Sequence, residues 1–146
     1  MHLAHTTHID APPARVWALT LDVQAWPDTT STMTSIERLD DGPLAPGSTA
    51  RVRQPAQRAR VWTVTAVEPE HRFAWATQAL GGRLTGTHTL VADGGGTANT
   101  LALDTEGRLA GVLGRLLAPA LKRSLAEENA GFKAAAEATP APAPSA

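Results

Sequence analysis

Three histidines near the N-terminus are the first side chains in this sequence that could bind a metal ion or move a proton. His2, His5 and His8 recur at intervals of three residues. Residues 3–9 are rich in threonine and histidine with apolar ends and predict a β-strand, on which His5 and His8 point to opposite faces. No second group of ligands with suitable spacing follows, so the sequence predicts no metal site.

A further histidine, His88, lies in a segment where threonines alternate with mainly apolar residues, and it is the first candidate for a catalytic role. A neutral imidazole can donate or accept a hydrogen bond, so it could orient a ligand carbonyl or transfer a proton. The alternative is a structural histidine satisfied by a buried neighbour. The chain has no cysteine and no tyrosine, and we find no Gly-x-Ser-x-Gly elbow, phosphate loop or dinucleotide fingerprint. We therefore expect no cofactor.

The charge balance argues against a nucleic-acid partner. Lys and Arg number 13 and Asp and Glu number 14, which gives a formal net charge of −1. The chain as a whole therefore has no excess of basic residues that would attract nucleic acid or an anionic membrane. One local basic run consists of Arg51, Arg53, Arg58 and Arg60. Because Ala50 and Val52 alternate with its first two members and cost less to bury, we interpret the run as a solvated face, with anion or partner contact as the alternative.

The length and the two ends of the chain indicate one cytoplasmic domain. A chain of 146 residues fits a single domain, which we place at residues 1–137. The N-terminal segment lacks a basic region followed by an apolar run, so we expect no signal peptide. No apolar stretch approaches ~18 residues, so we expect no stable membrane insertion. Residues 138–146 are Pro/Ala-rich and predict a disordered tail, and the oligomeric state is left open.

The periodicity of the remaining chain predicts an α+β fold. After the first strand, Asp10 or Ala11 is expected to cap a short helix that has two prolines in its first turn and ends near Leu21. A second short helical turn follows over residues 22–26. Six further strands are predicted near residues 33–39, 48–54, 60–67, 72–78, 83–91 and 98–106.

After Gly107 the apolar spacing changes to the helical period and predicts a long C-terminal helix. Pro119 lies inside this pattern and is expected to kink or split the helix. An antiparallel sheet with one apolar face needs a cover, and this helix is the only predicted element long enough to supply it. The small and apolar residues that follow the helical spacing include Leu109, Val112, Leu113, Leu116, Leu117, Ala120, Leu121 and Leu125.

Two predicted hairpins assign side chains to faces of the sheet. If residues 68–71 form the first turn, positions 67, 66 and 64 pair with 72, 73 and 75, and partners across an antiparallel ladder share a face. A second hairpin closed by residues 93–96 pairs 90 with 99 and 88 with 101. Phe73 then lies near His88 and Trp75 near Gly86. Because the registers agree, these side chains and Trp62 are predicted to face inward.

The inward aromatic residues could fill a core or line a cavity. Filling a core is the ordinary role of buried aromatic side chains. Two features favour a cavity: Gly86 removes a side chain beside Trp75, and small residues interrupt the leucines of the covering helix. These small residues are Gly111, Gly114, Ala118 and Ala120.

Several short stretches, taken in their order and spacing, carry a family resemblance. They are IDAPPARVW at 9–17, VQAWP at 23–27, GPLAPG at 42–47, VWTV at 61–64 with Glu68-Pro69, FAW at 73–75, GGT at 95–97 and the leucine-rich last helix. Over residues 3–136 the chain resembles the START-related (SRPBCC) ligand-binding superfamily, in its polyketide cyclase/dehydrase-like branch. The resemblance implies a helix-grip fold, in which a seven-stranded antiparallel sheet curls around the C-terminal helix and encloses a cavity. The family often has an aromatic residue after the Trp-Pro pair, and Asp-Thr-Thr at 28–30 makes the cavity mouth more polar here.

Two classes of function remain open, because this fold serves lipid carriers, steroid-type receptors and aromatase/cyclases alike. One is a binding or carrier protein for a small hydrophobic molecule, aromatic or lipid-like; the other is a polyketide cyclase/aromatase or dehydratase acting in the same cavity. A role in protein interaction without a ligand is a third. Cyclase chemistry needs several inward groups that transfer protons, and the inward faces offer His88, with His5 as a second candidate, so the sequence favours binding. The candidate ligand-binding residues are Trp62, Phe73, Trp75, His88, Leu101, Leu103, Leu113 and Leu117.

Overall fold

The computed structural model describes residues 1–79 and 81–138, and its elements follow the predicted order. Helix α1 spans Pro13–Leu21, a 3₁₀ helix spans Val23–Asp28, and the long helix α2 spans Arg108–Glu137. The predicted tail lies outside the described residues, apart from Ala138. The strands are β1 His2–Ile9, β2 Ser35–Arg38, β3 Thr49–Arg53, β4 Arg60–Glu68, β5 Arg72–Ala79, β6 Gly82–Asp93 and β7 Gly96–Glu106.

The seven strands form one antiparallel sheet in the order β1-β7-β6-β5-β4-β3-β2. Helix α2 packs against β1, β7 and β6, and helix α1 packs against α2. This arrangement confirms the predicted α+β helix-grip fold. The core between sheet and helices is built on fully buried apolar side chains from all parts of the chain, among them Ile9, Val16, Phe73, Leu90 and Leu101. In the part of the chain that the structure describes, no helix is both long and apolar enough to span a membrane.

The start of α1 differs from the prediction. Neither Asp10 nor Ala11 caps the helix; the cap position is Pro12, whose side chain can form no capping hydrogen bond. Pro12 has φ −67° and ψ 153°, the extended backbone that a residue before another proline adopts. Its carbonyl accepts hydrogen bonds from the amides of Arg15 and Val16. The prolines therefore set the start of the helix through backbone conformation.

The hairpin registers are confirmed except at one turn. Leu90 pairs with Asn99, and His88 pairs with Leu101 on one side and with Phe73 on the other. In the β4–β5 hairpin Val64 pairs with Trp75 as predicted, but Phe73 pairs with Val67 where residue 66 was expected. The turn is one residue shorter because Glu70 adopts a positive φ of 59°, and a bulge between Val64 and Ala66 absorbs the extra residue. The bulge keeps the tryptophans on the inward face.

Helix α2 runs unbroken through Pro119, so it is not split there, which was one of the two predicted outcomes. Pro119 is exposed, so the carbonyl at position 115 that loses its intrahelical partner can bond water. The first half of the helix departs from its predicted packing. The leucine-rich spacing predicts that this face covers the sheet, but Leu109 and Leu116 are exposed and the buried positions are Ala110 and Gly114. The amphipathic pattern therefore predicts that a helix forms, but it does not predict which face of the helix packs against the sheet.

Candidate functional site

A cavity of about 430 Å³ lies between the inward face of the sheet and α2. This volume is in the range of pockets that hold one small organic molecule. Strands β3 to β7, the 3₁₀ helix and α2 all contribute to its wall. The large apolar side chains of the wall are Trp26, Met33, Val52, Trp62, Trp75, Leu84, Leu101, Leu103, Leu117, Leu121 and Leu125.

Three indole rings form a continuous aromatic surface on this wall. The ring centroids of Trp62 and Trp75 are 5.4 Å apart, and those of Trp26 and Trp75 are 5.2 Å apart. Trp26 is held in place because its Nε1 donates a hydrogen bond to the carbonyl of Leu19 at 3.1 Å. A Cβ atom at Gly86 would lie 3.3 Å from Nε1 of Trp75, so the glycine allows that indole to lie across the neighbouring strand.

His88 is the titratable group that β6 contributes to the cavity wall. Its side chain is buried among aromatic rings: the imidazole lies tilted against Trp26 with centroids 4.8 Å apart, and it makes edge contacts with Phe73 and Phe132 at 5.8 and 5.4 Å. Burial lowers the pKa of His88 to about 3, so the ring is neutral near pH 7. Among the described residues its Nδ1 atom has no hydrogen-bond partner. The His88 side chain is part of the cavity wall, and a buried ring nitrogen without a partner needs a water molecule or a ligand to satisfy it.

Glu128 is the titratable group that α2 contributes to the same cavity. The side chain is half-buried, and burial raises its pKa from 4.5 to about 7. A carboxyl group with this pKa can act as a proton donor or acceptor near neutral pH. The sequence interpretation missed Glu128, although a signal exists: it follows Leu121 and Leu125 at the spacing that places all three on one helix face.

Arg60, together with Gln54 and Gln57, adds a further polar area to the cavity wall. The sequence interpretation places Arg60 on a solvated basic face, and the structure corrects this assignment. It pairs with Val52 across β3 and β4, and cross-strand partners share a face of the sheet. Because Val52 is buried inside, Arg60 also points inward and is half-buried. Arg51 and Arg53 are exposed, as predicted.

The predicted ligand-binding residues fall into two groups in the structure. Trp62, Trp75, His88, Leu101, Leu103 and Leu117 line the cavity. Phe73 is fully buried behind His88 and is not part of the lining, and Leu113 is half-buried on α2 and is not part of it either.

The small residues of α2 do not create the cavity, contrary to the expectation from the sequence. None of Gly111, Gly114, Ala118 and Ala120 is part of the described lining. Gly114 instead faces Met1, whose Cε would lie 2.8 Å from an added Cβ.

Trp26 was missed as a cavity residue because its position depends on how the 3₁₀ helix folds over the sheet.

The N-terminal histidines lie apart from one another. His2 and His8 contact Asp104 and Asp93 on the outer side of the sheet, whereas the Nδ1 atom of His5 lies 3.0 Å from the side-chain nitrogen of Asn129 on α2. Over the described ranges, no group of three or more His, Asp or Glu side chains has the arrangement of a metal site. His5 is not part of the cavity lining.

Comparison with solved structures gives several with the same fold. The aromatase/cyclase Zhui from Streptomyces sp. R1128 has a TM-score of 0.75 and 22% identity, over 94% of this chain and 93% of that chain. The protein TTHA0849 from Thermus thermophilus has a TM-score of 0.74 and 20% identity, over 91% and 94% of the two chains. BexL, a di-domain aromatase/cyclase from the BE-7585A biosynthetic pathway, has a TM-score of 0.74 and 18% identity, over 96% of this chain and 51% of its own.

At identities this low, the comparisons show that the folds are alike, but they do not show what activity this chain has. A search of curated proteins gave no match. The sequence does match a family model, described as polyketide cyclase/dehydrase and lipid transport, over residues 1–137. The match covers nearly the whole chain and agrees with the helix-grip architecture, so this protein belongs to the polyketide cyclase/dehydrase and lipid transport family.

Proposed function

We propose that the chain is a binding or carrier protein for one small, flat, hydrophobic molecule that carries at least one hydrogen-bonding group. The observation that supports this most directly is the buried Nδ1 atom of His88, which has no partner among the described residues. A buried polar atom without a partner costs about 1–3 kcal/mol. A ligand that hydrogen-bonds to it would recover part of this cost.

The shape and chemistry of the surrounding wall support the same proposal. Trp26, Trp62 and Trp75 present aromatic rings to the cavity, and flat ring systems stack well on such surfaces. Arg60 and Glu128 add polar groups at separate points of the wall, which favours a ligand with polar substituents. The proposal includes no nucleic-acid partner and no cofactor.

A cyclase or dehydratase activity is the second candidate, and Glu128 is the observation that favours it. His88 and Glu128 line one cavity and both can exist uncharged near neutral pH. In a dehydration, the carboxylate form of Glu128 would accept the proton from a carbon next to a carbonyl group, while an N–H of neutral His88 donates a hydrogen bond to that carbonyl oxygen. Glu128 would then return the proton to the departing hydroxyl, so that water leaves and a double bond forms.

The binding proposal is tested with a fluorescent hydrophobic probe and the variant His88→Leu. We expect one probe molecule per chain, displaced by flat aromatic compounds that carry a carbonyl or hydroxyl group. His88→Leu should weaken the binding of such a compound by about tenfold, the effect of one lost hydrogen bond. It should leave the binding of a purely apolar aromatic compound unchanged. The matched control His71→Leu removes an exposed histidine and should change the affinity for neither compound. Absence of any bound probe in the native protein would refute the proposal.

The second candidate is tested with Glu128→Gln, which keeps the size of the side chain and removes the titrating proton. A carrier should bind neutral ligands with unchanged affinity in this variant. An enzyme should lose turnover of a β-hydroxy ketone substrate by about 100-fold or more while still binding it. Glu127→Gln changes the exposed neighbouring residue and is the control.

A further inference from the structure

The first part of α2 exposes an unusual amount of apolar side chain. Over residues 1–79 and 81–138, seven large apolar side chains are exposed, and four of them lie between positions 109 and 117. We call these four the apolar stripe: Leu109, 56% exposed; Val112, 60%; Leu116, 73%; and Leu117, 42%. Leu109, Val112 and Leu116 have the spacing that places side chains on one helix face. A surface of this kind indicates an interaction site.

Basic side chains accompany the apolar stripe. Residues 107–126 contain Arg108, Arg115, Lys122 and Arg123 and no acidic residue. All four side chains are exposed, and in the described part of the chain none of them forms a salt bridge. The protein as a whole carries a formal net charge of −1, so this segment is a local concentration of positive charge that a whole-chain count conceals.

The apolar stripe is continuous with the mouth of the cavity. Leu117 is both exposed and part of the cavity lining, and Leu121 and Leu125 continue the lining along α2. At about 100° per residue, Leu117 lies on the helix surface between Leu116, which points to solvent, and Leu121, which lines the cavity. Leu117 therefore connects the apolar stripe to the cavity wall.

We propose that the apolar stripe and the four basic residues dock this protein on an anionic lipid surface. Leucines that project from a helix can enter the boundary between headgroups and acyl chains, and flanking Lys and Arg side chains can contact anionic headgroups. The stripe lies on the convex surface of a single helix, which suits a planar layer. Docking of this kind is reversible and peripheral, which is compatible with the absence of a membrane-spanning helix in the described chain.

Charge argues against a second copy of the chain as the occupant. A two-fold symmetric contact brings the same patch of each copy together. The four cations of one copy would then meet the four cations of the other, which disfavours the contact. An anionic surface is the complementary partner.

The test is co-sedimentation with phosphatidylcholine vesicles prepared with and without phosphatidylserine. We expect retention that requires phosphatidylserine and decreases at high salt. The double variant Leu109→Ser/Leu116→Ser should reduce retention by about tenfold or more, because it removes two large apolar side chains from the bilayer boundary. Arg115→Glu/Lys122→Glu should do the same, because each basic residue contributes to attraction by anionic lipid. The matched control Val61→Ser/Val91→Ser changes two exposed valines of the sheet and should leave retention unchanged.

Three outcomes would overturn the proposal. Retention that does not depend on phosphatidylserine would exclude the basic residues from the interaction. If retention is salt-sensitive but unchanged in Leu109→Ser/Leu116→Ser, the basic residues alone bind the vesicle and the apolar stripe takes no part. Such a basic surface would bind an acidic protein equally well. A concentration-dependent dimer that the same variant abolishes would make the stripe an interface between copies. The variants leave the cavity lining unchanged, so probe binding in them reports on the proposed ligand function separately.

Discussion

The two halves of α2 belong to one unbroken helix but have different surroundings. In the first half, residues 108–121, the buried positions are only Ala110 and Gly114, and the large apolar side chains other than the half-buried Leu113 are exposed or line the cavity. In the second half, residues 122–137, Leu125, Asn129 and Phe132 are buried. Continuity of the backbone therefore does not make a helix uniform in its packing.

The second half is attached to the rest of the protein by several kinds of contact. Asn129 accepts a hydrogen bond from the side chain of Asn99 and donates to the backbone carbonyls of Asn99 and His5. Arg15 of α1 donates hydrogen bonds to carbonyls at the end of α2. Gly131 contacts the backbone carbonyl of Thr29. The comparison indicates that the second half stabilises the fold and contributes most of the α2 residues in the cavity wall, while the first half exposes large apolar side chains to solvent.

The largest expected effect comes from truncating the main apolar anchor of the second half. Phe132 is buried against Trp26 and His88, so Phe132→Ala should lower the free energy of unfolding by about 3–5 kcal/mol. Leu116→Ala, an apolar truncation in the first half, should change it by less than about 0.5 kcal/mol, because that side chain is exposed. Urea unfolding measures both. Similar losses in the two variants would contradict the division of the helix.

Glu128 predicts a pH dependence at the boundary of the cavity. Its pKa is raised from 4.5 to about 7 in the folded protein, so the folded state holds the proton more tightly than the unfolded state. The contribution of Glu128 to the free energy of unfolding should be most favourable below pH 4.5, fall as the pH rises from 4.5 to 7, and level off above that, with a total loss of about 3 kcal/mol at most.

The contribution of Glu128 is isolated by comparing the native protein with Glu128→Gln at each pH. His88, whose pKa is lowered, acts in the opposite direction as the pH falls, and its contribution cancels in this difference. Glu127→Gln should retain the full dependence because that residue is exposed. A difference that stays constant across the window would show that Glu128 is not desolvated in solution.

An intermediate effect is expected from the hydrogen-bond network of the second half. Asn129→Ala leaves the amide group of Asn99 and two backbone carbonyls without their partner, which should lower the free energy of unfolding by about 1–3 kcal/mol. Ser124 lies on the cavity side and forms no side-chain hydrogen bond within the described residues. Ser124→Ala should therefore cost less than about 0.5 kcal/mol. Chemical unfolding measures the free energy of unfolding of both variants. Equal losses would show that the hydrogen bonds of Asn129 do not stabilise the second half of the helix.

The smallest effect is expected at Gly111 in the first half, and Gly131 in the second half is expected to give a change of opposite sign. An added Cβ at Gly111 meets nothing within 4 Å, so Gly111→Ala should raise the free energy of unfolding by about 0.5–1 kcal/mol through helix propensity. An added Cβ at Gly131 would collide with the carbonyl oxygen of Thr29, and Gly131→Ala should lower it by about 1–3 kcal/mol. Thermal melting resolves the two directions. A gain in both variants would mean that the second half is as loosely packed as the first.

The faces of the sheet could be predicted because they depend on local features of the chain. Residues alternate across a strand, and short turns determine which positions pair, so the inward positions of Trp62, Trp75 and His88 follow from two hairpins. The exception was the β4–β5 turn, where the positive φ of Glu70 shortens the loop and no glycine or asparagine signals it. The bulge compensates, and the inward face is the same.

The order of elements, the antiparallel sheet and the long C-terminal helix follow from the sequence, because hydrophobic periodicity and turn residues act over short distances. Tertiary packing was needed to establish that Trp26 contacts His88, that Arg60 faces inward and that Glu128 enters the same cavity. Their side chains come from segments far apart in the chain, and the altered pKa values of His88 and Glu128 arise from burial by those distant segments. The covered face of α2 also depends on packing, because a helix with apolar residues around much of its circumference can bury any of several faces.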